Sequence, residues 1–413
     1  MRGLQQHEQP VIWQMPDELG FDKRKYLLVV LSFATCIVLS FVFSAFGSQI
    51  LQEMFFLGLA VPLALQAKFK MVNLRSAVAA LGSATPYLIA LWASLLGNID
   101  RDRNLFFNFV VLTNVNLAFL VFSLAQSKHG STISDDINKA VFVMALPFFA
   151  YITISVPSYV GSWSRWAPLG QQPNWWGMMA LGLAWAGFGF RQVSVRLTGL
   201  AVAIFVMAQV QSRGALLALL PTLAISSEFF RPSISKRVTQ LSFVFLIFGI
   251  AVALFSEYSP SVETIRQKVI DYFLNDIAKL NDPKRGLDSG LTGRTTSYEA
   301  AWKAFLGSPI IGAGFGSMDF VHNGFLLALG ESGLLGAVGL VFLFVSSLVR
   351  AFKSRDWNSI GCILSYILVI MTFPRSININ FASLLCIMIL TKQYPPTPNG
   401  VKGSVTKFRA SMG

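Results

Sequence analysis

Three basic or titratable side chains stand at the mouths of apolar runs: Arg213 in QVQSRGALLALLP, His322 in DFVHNGFLLALG and Arg375 in FPRSINI. Each run reads as a helix, so each side chain falls at a helix N-terminus, where backbone N–H groups lack partners and the helix dipole is positive. Such ends hold anions, and three at one face would suit a multiply charged group such as pyrophosphate. Arginine fits that task because its planar fork stays charged and binds phosphate oxygens in pairs. Histidine titrates near neutrality and can take a proton from a hydroxyl. Arg294, in LTGRTTSYEAAW, precedes a short helix and can approach the same place from above. A snorkelling arginine, a solvated loop charge and a histidine held by loop carbonyls are the plainer readings of these residues one at a time. It is their shared placement that argues for a site.

The elements that must position them follow from composition. Of 413 residues, 54% are hydrophobic and only 13% charged, and the mean hydropathy is +0.58. The apolar residues arrive in blocks of about 17–25, the length that crosses a bilayer. We read an all-α polytopic membrane protein with about twelve transmembrane helices, near 26–46, 50–66, 75–97, 105–126, 140–160, 175–190, 196–212, 214–230, 239–256, 323–349, 358–373 and 377–391. Residues 1–25 form a cytoplasmic tail ahead of an uncleaved signal-anchor. Helices 1–9 occupy 26–256, helices 10–12 occupy 322–391, and 392–413 form a second cytoplasmic tail. With the N-terminus inside, 21 of the 33 Lys and Arg fall on the inner side, as the positive-inside rule requires. The charge of +13 therefore orients the chain against anionic membrane lipids, and nucleic acid is not an expected partner.

The long outer segment, 257–321, reads as a partly helical periplasmic loop. Residues 260–280 carry apolar side chains at helical spacing, and NDPKRGLDSGLTG at 281–293 is turn chemistry. Thr296 and Glu299 have the spacing of a capping box for a helix bearing Tyr298, Trp302 and Phe305, closed by Gly307 and Pro309. GAGFG at 312–316 lacks the strand and lysine of a nucleotide loop and reads as a flexible turn into the His322 helix. If 323–349 is one unbroken helix, Gly333 and Gly336 share the His322 stripe while Glu331 faces away. Cys36, Cys362 and Cys386 lie in apolar blocks and read as small core residues. Trp175 and Trp176 sit where an interfacial belt would, and Asp135 and Asp136 read as solvated on the inner side. No metal-ligand spacing is present, so no metal or other cofactor is expected.

These residues resemble the bacterial O-antigen ligase and polymerase superfamily of membrane glycosyltransferases, from about Gln211 to Leu348. The ligase-type signature of His, then Asn, nine residues and Gly-x-x-Gly matches His322, Asn323, Gly333 and Gly336; Ala337 departs from the Thr or Tyr that follows. Arg213 and Leu217 match an Arg-x3-Leu motif, and Gly293 with Arg294 matches a Gly-Arg in the long loop. The resemblance implies an enzyme of the inner membrane, metal-independent, with its active site on the periplasmic face. Its donor would be a glycan on undecaprenyl pyrophosphate, and its acceptor the lipid A core or, in an O-antigen or exopolysaccharide polymerase, another glycan. Arg213, Arg294 and His322 would be catalytic, with Asn323 and Arg375 joining Arg213 and Arg294 in substrate binding. His322 would act as general base or as a phosphate ligand. A lipid-linked glycan flippase is the competing function of another class.

Overall fold

The computed structural model describes residues 23–45, 81–99, 104–129, 132–155, 168–170, 173–190, 192–210, 212–225, 294–318, 321–372 and 381–392. Among these, every regular element is helical. They are α1 (Lys23–Ala45), α2 (Thr85–Gly97), α3 (Leu105–His129), α4 (Thr132–Ser155), α5 (Pro173–Gly187), α6 (Val193–Gln209), α7 (Arg213–Ile225), α8 (Arg294–Gly307), α9 (Gly324–Ser354), α10 (Trp357–Thr372) and α11 (Phe381–Leu390). Among the described residues, three segments are long and apolar enough to cross a membrane: Tyr26–Phe43, Leu105–Gln126 and Gly324–Ser354. The expected spans at 50–66 and 239–256 lie outside the described residues, as do 260–280, 281–293 and Arg375.

At the centre stands α11, FASLLCIMIL, apolar on every side. A helix with no polar face has to be enclosed, and residues 382–391 are all buried. It packs against α5, α3, α10 and α1. Its last carbonyls, which no further turn can satisfy, find side chains instead. Gln126 donates to the Met388 carbonyl at 2.8 Å, and Arg350 donates to that of Leu390 at 2.7 Å. The three cysteines are free and buried, as small core residues should be.

One pole of the bundle is tied by charge. Lys392 lies 3.2 Å from Asp135 and 2.9 Å from Asp356, joining the end of α11 to the starts of α4 and α10. Asp136 accepts from the Tyr26 hydroxyl and from Lys139, each at 2.8 Å. This corrects the reading of Asp136 as a solvated charge, while Asp135 stays half-exposed as expected. Asp135 stands in the first turn of α4, where a carboxylate suits the dipole, and the pair ties α1 and the end of α11 to α4.

The opposite pole follows from the antiparallel helices. Thr222 of α7 meets Gly361 of α10, and the Ser365 hydroxyl donates to the Ala218 carbonyl. Numbers fall in one helix as they rise in the other, so Arg213 lies far from Asp356. Likewise α9 delivers Ser347 and Arg350 to the α11 end, which leaves His322 at the far pole. The N-termini of α7, α9 and α11 therefore share one end of the bundle. Near that end Trp176 is fully buried and donates to the Pro168 carbonyl at 3.0 Å. It packs edge-on to Phe41 and Trp175, so it is core and not part of an interfacial belt.

Candidate active site

The site is built where α8 meets α9. Asn323 is extended, and its side-chain oxygen accepts the N–H groups of Phe325 and Leu326 at 3.0 and 3.1 Å. Those are two of the four donors a helix N-terminus leaves open. Asn323 is thus the N-cap of α9, and its oxygen serves the helix. His322 immediately precedes the cap, half-buried, with Nδ1 shielded from solvent. Its carbonyl accepts from the Tyr298 hydroxyl of α8 at 3.3 Å. Beneath this contact Ala301, Val321 and Leu327 form a small apolar cluster of their own.

That packing brings the first turn of α8, and with it the backbone of Arg294, beside the His322 turn. One helical turn separates Arg294 from Tyr298. The helix runs two residues further upstream than the expected capping box, so Thr296 and Glu299 lie within it, while Gly307 closes it as anticipated. Arg213 opens α7 at the same pole, but α7 packs chiefly on α10, α5 and α6. No described contact joins Arg213 to His322, and the side chains of Arg213 and Arg294 lie outside what is described.

The larger departure from expectation is inside α9. The helix is broken at Gly333, whose φ of 63° and ψ of −160° suit glycine alone. The segment after α8 fills the break. Ala313 and Gly314 donate to the carbonyls of Gly330 and Glu331 at 2.8 and 3.1 Å. On the other side, the Pro309 and Ile310 carbonyls accept from Leu334 and Leu335 at 2.8 and 3.3 Å. Both ends of the interrupted helix are thereby satisfied. A side chain on Gly333 would run into the Ile310 carbonyl, and one on Gly312 into the Glu331 backbone. The Gly333-to-Gly336 spacing therefore marks a docking notch, not a stripe continuous with His322. GAGFG is the packed loop that fills the notch, with positive φ at Gly312, Gly314 and Gly316.

Polar side chains from α2 and α3 hold this loop. The Ser94 hydroxyl donates to the Glu331 carbonyl, Asn98 donates to the Gly312 carbonyl at 3.4 Å, and Asn108 to that of Phe315 at 3.3 Å. The buried carboxylate of Glu331 accepts the Met318 N–H at 3.3 Å. Sequence reading passed over Ser94, Asn98 and Asn108. The available signal was amide and hydroxyl groups within or beside apolar helices, opposite a glycine-rich segment.

No protein-family model matches the chain, and a search of curated proteins finds no match.

Proposed function

We propose that this chain is a membrane glycosyltransferase. It moves a glycan from undecaprenyl pyrophosphate to a hydroxyl acceptor at the periplasmic face of the bacterial inner membrane, joining O-antigen to lipid A core. The observation that carries the reading is the His322–Asn323 turn: a titratable ring one residue before a capped helix N-terminus, with the α8 helix that begins at Arg294 packed against it. The N-termini of α7 and α11 at the same pole support an anionic leaving group there. The reading also takes twelve spans with both tails in the cytoplasm. The gathering of Asp135, Asp356 and Lys392 at one pole supports it, because topology counting assigns all three to the inner side.

In this reaction the acceptor oxygen attacks the anomeric carbon, and the bond from that carbon to the pyrophosphate oxygen breaks. Undecaprenyl pyrophosphate leaves with the electron pair. His322 takes the hydroxyl proton, while Arg213 and Arg294 hold the departing charge. Ala337, where the ligase signature has Thr or Tyr, favours a second reading as a polymerase with a glycan acceptor.

Electrophoresis of lipopolysaccharide from a deletion strain tests both. Bare core with polymer accumulating on the lipid carrier supports ligation, and core bearing one repeat supports polymerisation. Unchanged lipopolysaccharide with loss of a secreted exopolysaccharide rejects ligation to core and points to an exopolysaccharide polymerase of the same superfamily; unchanged lipopolysaccharide and exopolysaccharide reject all three. A flippase is separated by giving purified protein donor and acceptor: only a transferase releases undecaprenyl pyrophosphate.

A further inference from the structure

We infer that α8 and the turn after it lie in the membrane, at the boundary between headgroups and acyl chains. They are not suspended in the aqueous space above it, as a wholly periplasmic loop would be. The inference rests on the membrane-spanning reading of α9 and adds the depth at which the site works.

Depth is set by α9 itself. Its lower end is marked by Arg350 and Lys353, the basic anchors of the inner surface. From Arg350 up to Gly333 are about 17 residues, which rise about 26 Å at 1.5 Å each. A hydrocarbon core is about 30 Å thick. The break at Gly333 therefore lies at the outer edge of the core, with Leu334 and Leu335 inside it. Pro309 and Ile310, which cap the N–H groups of Leu334 and Leu335, are held at that same level. The turn after α8 cannot stand clear of the bilayer while α9 spans it.

The surface agrees. Ile310 is 66% exposed and Leu334 56%, side by side, and Leu306 and Trp302 of α8 are 59% and 50% exposed. Together they form an apolar strip continuous with the outward face of α9 at Leu335 and Val338. Trp302 packs on Phe305 with ring centroids 5.2 Å apart, and tryptophan is a residue that membrane interfaces favour. Next to the strip, Glu299 and Lys303 are exposed one turn apart, where Lys303 can lay its stem on the apolar side and reach the headgroups. The occupant of this strip is the outer-leaflet lipid.

Site-directed spin labelling in proteoliposomes tests this. Cys36, Cys362 and Cys386 are buried, so cysteines introduced by Leu306→Cys, Ile310→Cys and, as reference, Val341→Cys can be labelled selectively. Labels at 306 and 310 should collide with oxygen in preference to a water-soluble nickel complex, as the 341 label does, and a label at Ala300→Cys should show the reverse. Water-like behaviour at 306 and 310 with lipid-like behaviour at 341 overturns the inference alone. Water-like behaviour at all three overturns the membrane reading with it. Trp302→Phe gives an independent measure: brominated phosphatidylcholine should quench the wild-type fluorescence by an increment that the variant loses. An unchanged quench would remove Trp302 from the lipid surface.

Discussion

The Tyr298 hydroxyl donates to the His322 carbonyl oxygen at 3.3 Å, tying the helix that begins at Arg294 to the turn that carries the ring. If His322 handles the proton, His322→Ala should lower transfer by about 10²- to 10⁴-fold while the protein remains inserted and folded. Tyr298→Phe removes only a positioning bond, worth about 0.5–1.5 kcal/mol, and should lower kcat far less. Initial rates with lipid-linked donor compare the two. Near-normal transfer by His322→Ala would take the ring out of the mechanism, and an equal loss in Tyr298→Phe would mean that the hydroxyl itself meets substrate.

Gly333 should tolerate no side chain. Its backbone conformation costs a residue with a Cβ roughly 1–3 kcal/mol, and the Ile310 carbonyl stands in the way of that atom. Gly333→Ala should therefore lower the melting temperature in detergent and expel the 309–314 segment from its notch. Protease sensitivity between α8 and α9 would report the second effect. Gly307→Ala is the matched control, because nothing lies within 4 Å of where its Cβ would be. Equal stability of the two variants would show that the notch contributes little.

Arg213→Lys should impair transfer although it keeps the charge, since a lysine replaces a two-toothed fork with a point. Arg294→Ala should raise the donor concentration needed for half-maximal rate. Arg191→Ala and Arg237→Ala, assigned to the inner side, should leave donor use unchanged. Rates measured against donor concentration decide this, and equal harm from the inner pair would put the site at the wrong pole.

Local pattern made much of this fold legible. Gly307 ends α8 and the small apolar cysteines are core, while the helix expected from 323 starts one residue later, with Asn323 as its cap. The break at Gly333 was hidden because the apolar pattern runs straight through it. What interrupts α9 is a partner segment some twenty residues upstream, and helical periodicity carries no trace of a remote carbonyl. Trp176 misled for a related reason: a tryptophan near a span end suits an interface equally well until Phe41 and Pro168 are seen to enclose it. Lys392 meets Asp135 from 257 positions away, a pairing that only the assembled bundle defines.

The cluster around Lys392 should make stability depend on acid in a defined direction. Burial alone would raise the Asp356 carboxyl, but the charge and hydrogen bond of Lys392, with the N–H and hydroxyl of Ser359, outweigh it and hold the group below its ordinary value of 3.8. The folded protein thus prefers the ionised form more than the unfolded chain does. Its contribution is complete above the unfolded value and is lost as pH falls through the lower folded one. Asp356 also caps α10, its oxygens accepting the Ser359 N–H at 3.1 Å and the Ser359 hydroxyl at 2.8 Å. Two substitutions separate these roles. Asp356→Asn keeps a capping oxygen and should flatten the acid limb of the melting-temperature profile below about pH 4, the range set by an ordinary aspartate. Asp356→Ala loses the cap as well and should cost a further 0.5–2 kcal/mol or so at neutral pH. Melting profiles of the three proteins in detergent from neutral to acid pH read both effects. An acid limb as steep in Asp356→Asn as in the wild type would assign the acid sensitivity to other carboxylates.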